Sequence, residues 1–256
     1  MRILLIRHGD PDYVHDTLTE KGHKEAALLA EKMKKEPVSD FYVSPLGRAK
    51  DTASYTLAKV GREAKVLDWL EEFPARVDIN GAPELIRAYP DTRMEDGRYR
   101  KRIAWDMVPG YWTEHPEYFS AEGWRESEVA KRSDMIPLYE RAAEGFDGLL
   151  RSYGYVREGA HYRVERESEE TIACFCHFGV SCVILAHLWE VSPFVLWHSL
   201  AMAPTSVTEV VTEEREKGIA YFRALRIGDV SHLYAGGEEP SFACRFCETY
   251  GNGERH

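Results

Sequence analysis

Short apolar runs that end on polar residues alternate with longer segments of helical periodicity in the first part of the chain. The stretch Ile3 to Asp10 begins with four apolar residues and reaches a turn at Gly9 and Pro11. This pattern is typical of a strand that is buried on both faces. Thr19 then precedes a predicted helix over Glu20 to Glu36, because a threonine hydroxyl can cap the first turn. The pattern therefore predicts one βα unit.

Three later stretches are predicted as strands that repeat this arrangement, and each is followed by polar residues: Ser39 to Val43, Ala64 to Asp68, and Thr171 to Cys176. A helix is predicted after the last run, from Val180 to Trp189, and Ser206 to Val211 pairs with Ile219 to Leu225 as a predicted hairpin. Strands that alternate with helices indicate an α/β fold. Ligands of such folds bind beyond the carboxyl ends of the strands, where these polar residues lie.

The alternation of predicted strands and helices stops at about Arg76. Helical periodicity resumes from Met135 to Tyr153. The intervening stretch interleaves aromatic and basic residues, among them Trp105, Tyr111, Trp112, Tyr118, Phe119 and Trp124 with Arg87, Arg93, Arg98, Arg100, Lys101 and Arg102. We interpret residues 76–134 as an inserted lid within a single domain over residues 1–256. Its arginines and rings suit an anionic substrate, but a plain covering subdomain and a homodimer interface remain open.

Composition and charge narrow the class of protein. The chain has 256 residues, 44% hydrophobic and 30% charged, which is typical of a soluble globular protein. Its formal net charge of -10 argues against a nucleic-acid partner. No apolar stretch has the length of a signal peptide core or a membrane span, so we expect a cytoplasmic protein without a membrane partner.

The five cysteines do not indicate a disulfide framework. Cys174, Cys176 and Cys182 lie in or beside apolar runs, where cysteine packs as a small hydrophobic residue. Cys244 and Cys247 have the spacing of half a zinc site, but no second cysteine pair accompanies them. We therefore predict neither a metal nor a cofactor.

Arginine and histidine at a strand end are suited to phosphate chemistry. The guanidinium of Arg7 can bind two phosphate oxygens, and a neutral imidazole such as that of His8 can attack phosphorus. Gly9 would allow a ligand to approach closely. Arg48 lies at the start of a predicted helix, where a cation opposes the helix dipole unless an anion is bound nearby.

Five motifs together resemble the histidine phosphatase superfamily, specifically its phosphoglycerate mutase-like family. They are Arg7-His8-Gly9, Leu18-Thr19-x-x-Gly22, Ser44-Pro45-Leu46-x-Arg48-Ala49-x-x-Thr52-Ala53, Leu70-x-Glu72 and His177. The resemblance covers roughly residues 1–73 and 171–230. It implies a three-layer α/β/α sandwich with a mostly parallel central sheet, into which the lid is inserted.

The resemblance also implies a reaction and a set of site residues. A phosphatase would hydrolyse a small phosphorylated metabolite, a phosphate monoester, through a phosphohistidine on His8. Arg7, Arg48 and His177 would hold the phosphate, and Glu72 would be the proton donor, with Glu71 as the alternative. The implied substrate-binding residues are Gly9, Thr19, Phe178 and Gly179, although Thr19 is better explained as a helix cap.

Two departures from the family pattern bear on the alternatives. Phe178 stands between His177 and Gly179, where many relatives have glycine directly after the histidine. The stretch after Glu72 lacks the Arg-Tyr-Tyr-Gly-like run of the phosphoglycerate mutases. The absence of this run argues against a phosphomutase. A phosphomutase nevertheless remains an alternative, as does a non-catalytic module that binds a phosphorylated ligand. The physiological substrate is not determined by these motifs.

Overall fold

The computed structural model describes residues 1–89, 92–242 and 251. The chain divides into two compact units. Unit 1 comprises Met1–Glu72, Leu150–Ser181 and Ala201–His256, and unit 2 comprises Phe73–Leu149 and Cys182–Leu200. The segment 76–134 therefore belongs to unit 2. Its assignment as a lid inserted into a single domain stays a prediction.

Strands and helices alternate along much of the chain. The strands are β1 (Arg2–Arg7), β2 (Pro11–Asp12), β3 (Thr17–Leu18), β4 (Asp40–Val43), β5 (Ala64–Val66), β6 (Arg76–Val77), β7 (Met94–Glu95), β8 (Arg98–Tyr99), β9 (Arg102–Ile103), β10 (Tyr155–Glu158), β11 (His161–Val164), β12 (Thr171–Cys176), β13 (Val207–Glu216) and β14 (Ile219–Asp229). The α-helices are α1 (Glu20–Met33), α2 (Gly47–Val60), α3 (Pro83–Ala88), α4 (Pro109–Trp112), α5 (Glu128–Lys131), α6 (Met135–Ser152), α7 (Phe178–Trp189), α8 (Pro193–Ser199) and α9 (Ser231–Ala235). Short 3₁₀ turns span Asp68–Leu70, Pro116–Phe119 and Gly123–Glu126.

Unit 1 is built on an eight-stranded sheet in the order β10-β11-β14-β13-β1-β12-β4-β5. The pairs β1 with β12, β12 with β4 and β4 with β5 are parallel. The remaining four pairs are antiparallel, so the sheet is mixed, and the expected "mostly parallel" holds only for the half that contains the predicted site. Parallel strands require long crossover connections, whereas tight hairpins produce antiparallel ones. The predicted α/β fold with a central sheet flanked by helices is confirmed.

The predicted elements correspond closely to the structure in unit 1. The hydroxyl of Thr19 accepts a hydrogen bond from the amide of Gly22, so the predicted cap of α1 is confirmed. Apolar positions of α1 and α2 pack on the sheet against Leu4, Ile6 and Phe175. The hairpin of β10 and β11 was not predicted, because each strand has only four residues and lies near the sheet edge.

Unit 2 has an aromatic core of its own. Phe194 of α8 is fully buried, and its ring centroid lies 4.6 Å from that of Tyr118 and 5.2 Å from that of Trp197. Trp112 stacks on His198 with the centroids 4.7 Å apart. The rings of Tyr111, Trp112, Tyr118 and Trp124 are buried, whereas Phe119 is about half exposed. Most aromatic residues of 105–124 thus pack in this core.

No helix within the described ranges has the length and apolar character needed to cross a membrane. Cys174, Cys176 and Cys182 are buried free thiols, as their apolar surroundings predicted. Cys244 and Cys247 lie outside the described residues.

Candidate active site

The register of the parallel strands brings the predicted site residues together in unit 1. Arg7 at the end of β1 is paired with Cys176 at the end of β12, so His8 and His177 leave the sheet at the same level. Their ring centroids are 5.0 Å apart. On the other side of β12, Phe175 is paired with Val43 of β4, so Ser44 lies level with Cys176, the residue before His177. Three segments distant in sequence therefore meet at one edge of the sheet.

His8 has the geometry of a nucleophile. Its side chain is fully buried, and its Nδ1 lies 2.7 Å from the carbonyl oxygen of Gly9. A carbonyl can only accept a hydrogen bond, so Nδ1 carries the proton and Nε2 has the lone pair. Burial, followed by the positive charge of Arg7, holds the pKa of His8 well below its ordinary value. The imidazole is consequently neutral at neutral pH.

His177 is oriented by Ser44, a residue for which no separate role was predicted. Ser44 Oγ accepts a hydrogen bond from the Leu46 amide and lies 2.7 Å from His177 Nε2, to which it can donate its own proton. The imidazole proton is then on Nδ1. That Nδ1 is buried and has no hydrogen-bond partner among the described residues. A buried donor of this kind calls for an acceptor such as a ligand oxygen.

Burial also lowers the pKa of His177 well below its ordinary value, with further contributions from His8, Arg48 and Arg7. At neutral pH, His177 is therefore a neutral imidazole. The fixed positive charges of the site belong to the two guanidinium groups of Arg7 and Arg48. A bound phosphate would favour protonation of His177, because an anion nearby raises the pKa of a histidine.

Both arginines are buried and held by hydrogen bonds. Arg7 Nη1 donates to the carbonyl oxygen of Met202 at 2.7 Å. Arg48 Nε lies 3.4 Å from His8 Nε2, and its Nη1 donates to Asp16 Oδ1 at 2.6 Å. One edge of the Arg48 guanidinium is thus directed at Nε2 of His8.

Asp16 is a site residue that was not predicted from the sequence. Its Oδ2 accepts a hydrogen bond of 2.7 Å from the amide of Gly47, the first residue of α2. Its carboxylate therefore compensates the unfavourable placement of Arg48 at a helix N-terminus, for which a bound anion was predicted. Burial alone would raise the pKa of Asp16, but hydrogen bonds from Gly47 and Arg48 outweigh it and lower the pKa. A signal was present, since Asp16 lies in a polar turn before α1.

Glu72 is close to both histidines. Single ligand atoms of His8, Glu72 and His177 all lie within 4.8 Å of one another. Glu72 Oε1 accepts a hydrogen bond of 2.9 Å from the amide of Gly179 at the start of α7. Two imidazoles and a carboxylate could also hold a metal ion. The guanidinium groups of Arg7 and Arg48 disfavour a cation there and favour an anion.

The four implied substrate-binding residues have different surroundings. Gly9 packs so closely on Gly22 that an added Cβ would lie 2.8 Å from the Gly22 carbonyl oxygen, and the Gly9 amide donates to Thr52 Oγ1. Thr19 Oγ1 donates to Asp10 Oδ2 while it caps α1. Phe178 is buried at the start of α7, next to Gly179. The need for glycine at position 9 is thus explained by backbone packing.

A second segment that was not predicted, residues 202–206, supports the backbone of the site. The Thr205 amide donates to the carbonyl oxygen of His8 at 3.0 Å, and the Arg7 amide donates to the carbonyl oxygen of Ser206. Thr205 is fully buried with a φ of 58°, a left-handed conformation that is unfavourable for a β-branched residue. Its hydroxyl lies 3.0 Å from Nε2 of the buried His232. Such strain is often retained where a functional group must be positioned.

An α/β fold that gathers two histidines, two arginines and a carboxylate beyond the ends of parallel strands forms a site whose fixed positive charges favour an anionic ligand. The sequence model of the histidine phosphatase superfamily (branch 1) matches residues 3–224, and the chain belongs to this superfamily. No curated protein matches the chain by sequence.

Solved structures with the same fold include two phosphatases. A variant of phosphoserine phosphatase from Entamoeba histolytica, in complex with phosphoserine, is 16% identical with a TM-score of 0.57, over 91% of this chain and 98% of that chain. Mycobacterial glucosyl-3-phosphoglycerate phosphatase with VO₃ is 18% identical with a TM-score of 0.53, over 88% of this chain and 98% of that chain. At these identities the similarity establishes the fold.

Proposed function

We propose that the protein is a phosphatase that hydrolyses a small phosphate monoester through a phosphohistidine on His8. The observation that carries this proposal is the hydrogen bond from His8 Nδ1 to the Gly9 carbonyl oxygen, which leaves the Nε2 lone pair 3.4 Å from Arg48 Nε. A neutral nucleophile beside a fixed cation is the arrangement that an anionic phosphoryl group requires.

In the first step, His8 Nε2 attacks phosphorus in line with the ester oxygen. The N–P bond forms, the P–O bond to the leaving group breaks, and Glu72 in its protonated form transfers a proton to the departing oxygen. Arg7 and Arg48 stabilise the charge on the three equatorial oxygens, and His177 Nδ1 donates a hydrogen bond to one of them.

In the second step, water attacks the phosphohistidine. Glu72, now a carboxylate, accepts a proton from that water, the N–P bond breaks, and phosphate leaves with His8 neutral again. The same carboxyl group serves both steps, and Glu72 is proposed over Glu71 because its carboxylate lies close to both histidines.

The similar phosphatases support a small substrate, since they are named for phosphoserine and glucosyl-3-phosphoglycerate. A cytoplasmic location is part of the proposal and is supported by the three buried free thiols, because reduced cysteines are usual in that compartment.

The test compares wild-type protein with His8→Ala on a panel of phosphate monoesters, with a chelator present throughout. We expect turnover by the wild type and a loss on the order of 10³-fold or more in His8→Ala. The partly exposed His161 of β11 provides the matched control, since His161→Ala removes an imidazole far along the sheet order from β1. Acid-labile phosphate bound to the wild type, and absent from His8→Ala, would identify the intermediate.

Turnover that persists in His8→Ala would contradict the proposed nucleophile. A wild type that becomes phosphorylated but returns the phosphate to a second hydroxyl group would indicate the phosphomutase alternative. Binding of monoesters without turnover or covalent phosphate would instead support the non-catalytic module.

A further inference from the structure

Unit 2 contains a cleft of unusual charge for so acidic a chain. The cleft has a volume of about 540 Å³, and five basic residues line it: Arg76, Arg93, Arg100, Lys101 and Arg102. The other lining residues are Glu95, Ile103 and Asp106. We call this feature the basic cleft. None of its residues belongs to the candidate active site, and its volume is within the range of about 300–1,000 Å³ that is usual for small-molecule sites.

A second cleft of about 480 Å³ in unit 2 shares two residues with the basic cleft, Arg76 and Lys101. It adds two further cations, Lys131 and Arg132, and one further acid, Asp134. Together the two clefts are lined by seven basic and three acidic residues, whereas the whole chain has a formal net charge of -10. The positive charge is therefore concentrated locally.

Ion pairs neutralise some of these cations. Arg100 pairs with Glu95 at 2.5 Å, and Arg102 lies 3.6 Å from Asp106. In the second cleft, Lys131 lies 3.7 Å from Glu126, and Arg132 lies 3.3 Å from Glu128. Within the described part of the chain, four of the seven basic residues that line the two clefts are thus paired with acids, and three are not.

The remaining cations are Arg76, Arg93 and Lys101, and they form no ion pair with any acid among residues 1–89 and 92–242. Like charges that converge on one concave surface repel each other. A bound anion would relieve that repulsion and would be attracted by the summed field of the cleft.

We propose that the basic cleft binds a small polyanion that carries two or more phosphate groups. Arginine predominates in its lining, and the planar guanidinium group binds phosphate oxygens in pairs. The cleft has the size of a small-molecule site, and the acidic surface of the rest of the chain would repel a long nucleic acid. A compact polyphosphate satisfies both conditions.

The polyphosphate chemistry has two possible sources, an inorganic polyphosphate and an organic one such as a nucleoside triphosphate. Both kinds of polyphosphate require the same cations of the basic cleft. Binding of a polyphosphate is therefore measured first, and its source is determined afterwards. The proposal is independent of the proposed phosphatase reaction, because binding is measured in a protein without the nucleophile.

The probe is inorganic tripolyphosphate, titrated calorimetrically into the His8→Ala protein in the presence of a chelator. We expect saturable binding that weakens as the salt concentration rises. Arg76→Gln with Lys101→Gln removes the two cations shared by both clefts, and we expect the affinity to fall at least about tenfold. Arg87→Gln with Lys65→Gln removes the same charge at exposed positions outside both clefts and should change the affinity less than about twofold.

A second control separates the basic cleft from the phosphate site of unit 1. Arg48→Gln on the His8→Ala background weakens only that site, and we expect it to change the affinity for tripolyphosphate less than about twofold. Thermal unfolding checks that each variant is folded. A larger fall in Arg48→Gln than in Arg76→Gln/Lys101→Gln would place the bound polyphosphate in unit 1 and overturn the proposal.

Absence of saturable binding, or equal affinity in Arg76→Gln/Lys101→Gln, would overturn the proposal as well. Equal affinity for orthophosphate and tripolyphosphate would overturn the requirement for two or more phosphate groups. Tighter binding of a single-stranded oligonucleotide would overturn it in favour of a nucleic-acid site.

If tripolyphosphate binds, adenosine triphosphate in the same titration identifies the source of the ligand. Tighter binding than tripolyphosphate indicates an organic ligand, and weaker binding indicates an inorganic one. Both of these results support the proposed chemistry.

Discussion

The two units use charged and apolar side chains in opposite ways. Unit 1 buries Arg7, His8, Arg48 and His177 at the ends of its parallel strands, and hydrogen bonds hold each of them. Unit 2 buries aromatic rings and keeps most of its arginines at the surface. Buried charge requires defined partners, whereas surface charge does not. Unit 1 is therefore the part of the molecule in which individual polar positions are specified most strictly.

This difference explains where the sequence was informative. His8 and His177 could each have been only the polar end of a strand, and they indicated a site because the other motifs accompany them. Aromatic residues among arginines have several explanations, and in unit 2 most rings form a core while several arginines line the basic cleft. Four measurements test the contrast between the units, in order of decreasing expected effect.

The aromatic core should dominate the stability of unit 2. Phe194→Ala removes a fully buried ring that contacts Tyr118 and Trp197, and we expect a loss of about 3–5 kcal/mol in the free energy of unfolding. Urea denaturation measures this loss. Phe119→Ala is the control, because that ring is about half exposed and should cost less than about 1 kcal/mol. A raised KM with unchanged stability in Phe194→Ala would mean that the ring serves the substrate rather than the core.

The planar guanidinium group of Arg48 should matter mainly for the rate in unit 1. Arg48→Lys keeps the charge but loses the planar pair of donors, and we expect kcat/KM to fall about 10²–10³-fold. Asp16→Asn keeps the shape but removes the charge that orients Arg48, and we expect a fall of about tenfold. Steady-state kinetics on the best monoester measure both. Equal losses in the two variants would show that Asp16 does more than orient Arg48.

Buried His232 should make unit 1 sensitive to acid. Burial lowers its pKa to about 4, so the folded state resists protonation while the unfolded state gains a proton below about pH 6.5. The free energy of unfolding should therefore fall as the pH decreases from about 6.5 to about 4, by up to about 3 kcal/mol from this residue. His232→Gln should reduce the slope over that window in denaturation measured at several pH values. An unchanged slope would contradict the buried, neutral state of His232.

A loss of kcat/KM no larger than that of Asp16→Asn is expected at Ser44. Ser44→Ala leaves His177 Nε2 without its hydrogen bond, and we expect kcat/KM to fall about tenfold, which corresponds to about 1.4 kcal/mol. Ser44→Thr retains the hydroxyl group and should recover part of the activity. Ser54→Ala in α2 is the control, since the Ser54 hydroxyl donates to the carbonyl oxygen of Asp51 on an exposed surface. Full activity in Ser44→Ala would exclude a positioning role.

Much of unit 1 was predictable because its signals are local. The apolar run of β12 predicted the observed strand, Thr19 predicted the cap of α1, and the polar residues after the strands predicted where the site residues gather. In the antiparallel half of the sheet, the hairpin of β13 and β14 was predicted, whereas β10 and β11 were not, because these short strands acquire their place only when β11 pairs with β14. Asp16 and the segment 202–206 were missed for the same reason, since their roles depend on distant neighbours.

The sequence by itself determined the βα units, because periodicity, capping and strand ends are properties of neighbouring residues. Its five motifs, through their resemblance to the histidine phosphatase superfamily, indicated the superfamily and the five residues proposed for catalysis. Only the tertiary structure decided which nitrogen of His8 is available, what orients Arg48 and His177, and that Arg76 and Lys101 share a cleft with other cations. Those features depend on strand register and on contacts between residues far apart in the chain. No local pattern encodes them.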